Sequence, residues 1–500
     1  MEKQLTGSNG FRRGTGINII KRFICLIIAA LVLCMAGCAG TQTDHGGTDA
    51  TPDGPGGTPG SDEPEIWQAD ESRLEAARNA AGKNELLIGC WIPPRPAQMK
   101  TQEDADARMA ELAASGINCV STHNSDLSSL KFIGRLCEAA AKYGVKVIIE
   151  LNRDLSRNGI RNNVRIVEKT MDYEAVIGYN MFDEPVASMA SDLAAEYAAI
   201  REVTGDSKII MINLLPNYGS KDTMAPQITE GLTWYQTYLD TFAGDTTDAL
   251  SFDFYPFSEK SSRDVGRIKS MMQNLSDIAI IARKYDLPAW GFVQNSSWNG
   301  MRAPNAEELA FLSHLHLIFG LESYSYFLYA ETSNGAEGDF SAMLTHDNKL
   351  TDMYYRVQNN NIRMKNAGYR FLSYSLKGFL TDKFVTDAFS VGVNDALKLE
   401  GDNDLASWEA ERDTLLGVFE GRSEADNSAR GYAVDNADKG YYLLNFDSAN
   451  AETVTLRFES ATPYTVWGPD GIEAMGVAKE VTVELGAYDG KFVELRTFGD

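Results

Sequence analysis

Between residues 85 and 371 the chain alternates eight short apolar segments with eight segments of helical character. The apolar segments span residues 86–91, 117–121, 145–151, 176–182, 208–214, 249–255, 289–293 and 323–329. Strands that alternate with helices pair in parallel through right-handed crossovers. Eight such units predict a (β/α)8 TIM barrel over residues 66–371. A doubly wound open sheet is the alternative, but it is less favoured because no Gly-rich phosphate loop follows a strand.

The pattern changes to a period of two after residue 371. Apolar and polar residues alternate over 454–458 and again over 481–485, and Gly-Pro-Asp-Gly at 468–471 is a turn signal. Alternation of this kind is typical of strands with one buried face. Residues 372–500 are therefore predicted to form an antiparallel β-sandwich.

The beginning of the chain has the pattern of an export signal. A Lys-Arg pair at 21–22 precedes an apolar run over 23–36, which is shorter than a membrane-spanning helix. Met-Ala-Gly-Cys at 35–38 resembles the lipobox of bacterial lipoproteins. This resemblance implies that residues 1–37 are a lipoprotein signal peptide and that Cys38 becomes lipidated. An ordinary signal peptide is the alternative.

Residues 38–65 are predicted to be a flexible linker behind the lipid anchor, because Gly, Thr, Pro and Asp dominate residues 41–64. A glycosylated stalk is the alternative. We therefore expect an exported protein that is attached to the bacterial membrane through its lipid alone. The formal net charge of -24 argues against nucleic acid as a partner, since phosphate binding needs a basic face. The sequence gives no indication of a protein partner.

The cysteines and histidines show no metal-ligand spacing, and neither a metal nor another cofactor is predicted. Cys90, Cys119 and Cys137 lie in apolar segments and are expected to be buried free thiols. A Cys90–Cys119 bridge is the alternative. His314 and His316 are two residues apart on a predicted helix, so we expect one packed and one solvated ring.

In a (β/α)8 barrel the functional residues lie at the carboxyl ends of the strands. The residues at these ends are Trp91, His123, Asn124, Asn152, Asp183, Glu184, Asn213, Asp253, Tyr255, Gln294, Trp298 and Tyr326. Flat aromatic rings stack on the faces of sugars, and amides and carboxylates bind their hydroxyl groups. The set therefore predicts an oligosaccharide or polysaccharide ligand.

Two of these strand ends resemble those of a known group of enzymes. Ile-Gly-Tyr-Asn-Met-Phe-Asp-Glu-Pro at 177–185 resembles the strand-four motif of clan-A glycoside hydrolases, and Ser-Phe-Asp-Phe-Tyr-Pro at 251–256 resembles the strand-six segment of the family-42 β-galactosidases. The resemblance covers about residues 85–370. It implies hydrolysis of glycosidic bonds with Glu184 as the general acid. Capping of the following helix is the structural alternative for Glu184.

Strand seven departs from this resemblance. Clan-A enzymes carry a Glu nucleophile at its end, but this chain has Gln294, and no acidic residue occurs between Leu287 and Pro304. One hypothesis gives the second catalytic role to Asp253; a hydrogen bond from a sugar hydroxyl to Asp253 is the alternative for this residue. The other carboxylates considered for that role are Glu331, Glu150 and Asp154. An inverting enzyme would use such a carboxylate to activate water.

Two further hypotheses remain. The Asp183-Glu184 pair resembles the acidic pair of substrate-assisted hexosaminidases, in which the substrate supplies the nucleophile. Neighbours on a regular strand face opposite ways, so this hypothesis requires the strand to end at the pair. Alternatively, the protein binds glycans without cleaving them. In each case Asp183 and the remaining residues at the strand ends are predicted to bind the sugar.

Overall fold

The computed structural model describes residues 84–334, 338–367, 369–384, 387–432 and 439–496. The predicted signal peptide, the lipidation site at Cys38 and the predicted linker lie outside the described residues. Within the described ranges, no helix is both long and apolar enough to cross a bilayer.

Eight parallel strands close into a barrel in sequence order, with the first strand paired to both the second and the eighth. They are β1 (Leu87–Trp91), β2 (Cys119–Ser121), β3 (Lys146–Glu150), β4 (Val176–Asp183), β5 (Ile209–Leu214), β6 (Leu250–Asp253), β7 (Ala289–Gln294) and β8 (Ser323–Phe327). The predicted barrel is confirmed. Because the strands run in parallel, their carboxyl ends meet at one mouth of the barrel.

Helices follow the strands and form the outer layer. The main ones are α1 (Gln102–Ala114), α2 (Leu130–Lys142), α3 (Arg157–Thr170), α4 (Ala190–Thr204), α5 (Lys221–Met224), α6 (Trp234–Ala243), α7 (Asp264–Tyr285), α8 (Ala306–Ile318) and α9 (Asp352–Asn366). A capping box begins α1, because the Thr101 side chain accepts from the Asp104 N–H while the Asp104 carboxylate accepts from the Thr101 N–H. A short hairpin, β9 (Thr332–Asn334) and β10 (Gly338–Phe340), follows β8.

The C-terminal part forms a seven-stranded antiparallel sheet. Its strands are β11 (Tyr374–Leu380), β12 (Leu405–Glu409), β13 (Thr414–Gly421), β14 (Lys439–Asn445), β15 (Glu452–Gly468), β16 (Gly471–Leu485) and β17 (Gly490–Glu494). One face packs against α8 of the barrel and the other encloses a separate apolar core, which gives a sandwich-like arrangement. The predicted fold class is therefore confirmed. The predicted domain boundary at 371/372 falls in a turn just before β11 and stays a prediction.

Barrel and sheet belong to one compact unit, and a buried ion pair joins them. Glu494 on β17 accepts from Arg370 Nη2 at 2.7 Å, from Trp467 Nε1 at 3.0 Å and from the hydroxyl of Tyr374. The Arg370 and Glu494 side chains are 1% and 0% exposed, respectively. Donors therefore satisfy both oxygens of this carboxylate.

Two expectations about buried side chains have different outcomes. Cys90, Cys119 and Cys137 are buried free thiols, as predicted. The expectation of one solvated histidine is wrong, because α8 lies between the barrel and the sheet and both rings are buried. His314 Nδ1 is 2.7 Å from the Tyr442 hydroxyl on the sheet.

Candidate active site at the barrel mouth

Asp183, Asn213 and Asp253 lie side by side at the mouth because β4, β5 and β6 are neighbours in the barrel. The Asn213 Nδ2 group donates to Asp183 Oδ1 at 3.1 Å and to Asp253 Oδ1 at 2.9 Å. These two carboxylate oxygens are therefore at most about 6 Å apart. The structure thus brings together three of the residues that the sequence predicts for the site.

Glu184 follows the last residue of β4 and has a left-handed backbone, with φ of 56°. The strand ends at this turn, so the alternation that would send Asp183 and Glu184 to opposite faces is interrupted. Burial raises the pKa of Tyr255, and the negative charges of Asp253, Asp183 and Glu184 all add to this effect. The three carboxylates therefore lie around the same phenol.

The structural alternative for Glu184 was capping of the next helix. A short helical turn at Ala187–Met189 and then α4 follow Glu184, and neither has a side-chain cap. Glu184 is exposed at the mouth instead. Its N–H donates to the carbonyl oxygen of Asn213 at 2.8 Å, which ties the turn after β4 to β5.

Asp253 differs electrostatically from an ordinary surface carboxylate. Burial raises its pKa to about 7, and the negative charge of Asp183 acts in the same direction. Hydrogen bonds from Asn213 and Tyr255 oppose this shift. The pKa of Asp253 is therefore shifted towards the range in which a general acid or base works.

A second buried carboxylate extends this arrangement across the mouth. Glu150, at the end of β3, accepts from Trp91 Nε1 at 3.1 Å and from Arg153 Nη2 at 2.8 Å. The same Arg153 nitrogen donates to Asp183 Oδ2 at 3.0 Å. Burial raises the pKa of Glu150 to about 7, although the Arg153 charge opposes the shift. We call the connected side chains the mouth network: Glu150, Arg153, Asp183, Asn213 and Asp253.

Aromatic rings form a contiguous group beside the mouth network. Phe327 is at its centre, with ring centroids 5.4 Å from Trp91, 4.8 Å from Tyr255 and 5.4 Å from Trp298. Phe340, from β10, extends the group at 5.7 Å from Trp298. These rings offer flat apolar surface of the kind on which sugar rings stack.

The sequence analysis missed Phe327 and placed Tyr326 in the site. Side chains on a strand alternate between its two faces, so an error of one residue selects a side chain that points to the helix layer instead of the barrel mouth. Tyr326 is fully buried, and its hydroxyl donates to Asn361 Oδ1 on α9 at 2.8 Å. The signal that could have found Phe327 is the same alternation, counted from the polar residues of β8.

The Gln294 side chain is engaged by the backbone of neighbouring loops. It is fully buried, and its Oε1 atom accepts from the Phe257 N–H at 2.9 Å. Its Nε2 group donates to the carbonyl oxygens of Phe257 and Arg302 at 2.9 and 2.7 Å. The amide therefore holds the loops that follow β6 and β7 together.

The remaining predicted residues lie around the mouth network. His123 has its ring 5.6 Å from Trp91, and burial, together with the nearby charges of Arg95 and Arg153, lowers its pKa to about 4. Asn124 begins a short helical turn directly after His123.

Asn152, next to Arg153, is tied to helix α3. Its N–H and its Nδ2 group both donate to Asn163 Oδ1, at 3.2 and 3.3 Å. Of the weaker carboxylate candidates, Asp154 accepts from the Ser156 N–H and Glu331 from the His346 N–H, so each is held by backbone outside the mouth network. Across the described ranges, no three His, Cys, Asp or Glu side chains are grouped to hold a metal ion.

No protein-family model and no curated protein matches the chain. Several solved structures share its fold. A β-galactosidase from Rahnella sp. R3 is 9% identical with a TM-score of 0.54, and the match covers 83% of this chain and 99% of that chain. A family-5 glycoside hydrolase from Bacteroides vulgatus ATCC 8482 is also 9% identical, with a TM-score of 0.51 and coverage of 83% and 90%. The fold is thus one that glycoside hydrolases use.

Proposed function

We propose that this protein hydrolyses glycosidic bonds in an extracellular oligosaccharide or polysaccharide, with Glu184 as the proton donor and Asp253 as the second carboxylate. The observation that carries the proposal is the convergence of Asp183, Glu184 and Asp253 at the barrel mouth. The aromatic group around Phe327 lies next to them. A site of this composition supplies both acid–base groups and a stacking surface.

The chemistry divides between an exposed and a recessed carboxylate. The leaving oxygen of a glycoside needs a proton, and Glu184 is exposed at the turn where the leaving group has room. The anomeric carbon develops positive charge in the transition state. Ionised Asp253 either stabilises this charge directly or activates a water molecule that attacks the anomeric carbon. Because the pKa of Asp253 is about 7, this group accepts a proton readily at neutral pH.

We also propose that the protein is exported and anchored through a lipid on Cys38. The basic pair, the apolar run and the lipobox-like residues 35–38 support this part of the proposal. Fractionation of cells that express the wild-type chain or Cys38→Ser tests it. We expect wild type in the membrane fraction and the variant outside it; an identical distribution would exclude a lipid anchor at this residue.

The activity is tested with the purified full chain, a panel of aryl glycosides and polysaccharides, and NMR detection of the released anomer. Glu184→Gln is expected to lower cleavage by about 10²–10⁴-fold. Glu307→Gln, an exposed carboxylate in the first turn of α8, is the matched control and is expected to cleave normally. An inverted anomer favours Asp253 as a base, and a retained anomer favours a covalent or substrate-assisted route. Normal cleavage by Glu184→Gln would remove Glu184 from the mechanism.

A second function is favoured by one observation. Strand β7 ends in Gln294, whose amide is fully engaged by backbone, so this strand contributes no carboxylate to the mouth. A glycan-binding protein without hydrolytic activity fits this feature. Calorimetric binding of a glycan by the wild-type chain, without release of a product from any member of the panel, would favour binding over hydrolysis.

A further inference from the structure

We infer that Asn213 is a positioning residue that holds Asp183, Glu184 and Asp253 in a fixed arrangement, instead of contacting the sugar as the sequence suggests. The contacts of Asn213 carry the positioning role, and only the reaction itself rests on the proposed function. Asn213 contacts all three acidic residues, two through its side chain and one through its main chain.

The side-chain amide has no N–H group left to donate to a ligand. Its nitrogen carries two N–H groups, and the two acceptors at 3.1 and 2.9 Å are Asp183 and Asp253. Its oxygen accepts from Ser251 Oγ at 3.0 Å. The Ser251 hydroxyl thereby fixes which end of the amide faces the carboxylates, and Asn213 is only 4% exposed.

The main chain of Asn213 determines where β4 turns. Its carbonyl oxygen accepts from the N–H of Glu184, the residue with the left-handed backbone. This conformation is unfavourable for a residue with a Cβ atom and persists only where its surroundings hold it. A shift of Asn213 would therefore move Glu184 as well as the two aspartates.

Asn213 also lies between two like charges. Asp183 and Asp253 repel each other when both are ionised, and the two N–H groups between them stabilise both anions. Arg153 balances the far side of Asp183. The other titratable groups on which the charge of Asp253 acts are Tyr218, Tyr235, Tyr238 and Tyr255. Loss of the amide would leave the repulsion with Asp183 uncompensated and make Asp253 harder to ionise.

Carboxyl NMR titration of the full chain with ¹³C-labelled aspartate tests the inference without any substrate. Asp253→Asn identifies the resonance of Asp253 by its loss. Asn213→Leu removes the amide at similar volume, while Ser251→Ala removes only the hydroxyl that orients it. Asn366→Ala is the matched control, because Asn366 is a buried amide that donates to the Pro469 carbonyl oxygen at the barrel–sheet interface.

We expect the Asp253 midpoint to rise by about one pH unit in Asn213→Leu and by less in Ser251→Ala, and to stay at the wild-type value in Asn366→Ala. Equal midpoints in wild type, Asn213→Leu and Ser251→Ala would overturn the inference. If Asn213→Leu does not fold, Ser251→Ala alone decides. Shifted midpoints in a chain that cleaves no glycoside would leave the positioning role intact and remove the proposed hydrolysis. Cleavage of a glycoside with unshifted Asp253 midpoints would support the proposed hydrolysis and overturn the positioning role of Asn213.

Discussion

Glu494 and Asp253 are carboxylates at strand ends in the same chain, and their surroundings differ. Glu494 receives hydrogen bonds from Arg370, Trp467 and Tyr374. Asp253 shares its amide donor with a second acid, Asp183. A carboxylate with a complete set of donors stabilises an interface, whereas Asp253, whose pKa is raised to about 7 by burial and by the charge of Asp183, is available for proton transfer.

The largest effect is expected from breaking the buried ion pair between Arg370 and Glu494. Arg370→Met leaves Glu494 charged and buried without its cation, so the free energy of unfolding should fall by about 3–5 kcal/mol. Urea denaturation measures this loss. Ligand binding at the mouth, per folded molecule, should be unchanged because Arg370 lies at the barrel–sheet interface.

Two further variants make this first prediction sharper. Lys377→Met removes the cation of an exposed pair with Glu420, and little loss of stability is expected. Replacing both Arg370 and Glu494 with apolar residues should restore only part of the stability, because the Trp467 N–H and the Tyr374 hydroxyl would lose their acceptor. A loss in Arg370→Met no greater than in Lys377→Met would contradict the comparison.

The next largest loss of stability is expected at Asn163, a buried amide behind the mouth. Asn163 Nδ2 donates to the Asn152 carbonyl oxygen at 2.8 Å and to Glu196 Oε1 at 2.6 Å. Asn163→Ala should cost about 2–3 kcal/mol of stability, because it leaves buried polar groups without partners. It should also speed hydrogen exchange of the Asn152 amide, which donates to Asn163 Oδ1. Asn162→Ala, at an exposed neighbour, is the control, and equal exchange rates in the two variants would refute this role.

The fold and about half of the site could be predicted from the sequence, for a physical reason. Strand–helix alternation fixes the barrel, and the strand ends indicate which residues reach the mouth, where Asp183, Asn213 and Asp253 lie side by side. The pairing of side chains was not predictable, because it depends on rotamers and on contacts between strands. Arg153 illustrates this: nothing in the sequence shows that it joins Glu150 to Asp183.

Asp253→Asn tests the other side of the comparison through the pH dependence of stability. The pKa of Asp253 is raised from its usual value near 4 to about 7, so the folded state binds an extra proton between these values. The stability from this proton is present below about pH 4 and is lost as the pH rises through 7. Wild type should therefore lose stability relative to Asp253→Asn over this range.

By pH 8, the free energy of unfolding of wild type relative to that of Asp253→Asn should have fallen by on the order of 2 kcal/mol. This is less than the full pKa shift implies, because solvent partly screens the half-buried carboxylate. Urea denaturation at pH 5 and pH 8 measures it. Asp245→Asn, at an exposed carboxylate, is the control and should follow wild type at both values. Parallel pH dependence in wild type and Asp253→Asn would show that Asp253 is an ordinary carboxylate.

The smallest effect is expected at an exposed ring beside the same carboxylates. Tyr218 is 46% exposed, and its ring centroid is 5.6 Å from that of Phe254, so the ring is supported on one side while a large part of it is accessible to a ligand. Tyr218→Ala should weaken glycan binding about tenfold through lost stacking and change the free energy of unfolding by less than about 0.5 kcal/mol. Tyr218→Phe keeps the ring and should bind as wild type does. Calorimetry in the Glu184→Gln background prevents cleavage during the measurement, and an equal loss of affinity in both variants would assign the contact to the hydroxyl group instead of the ring.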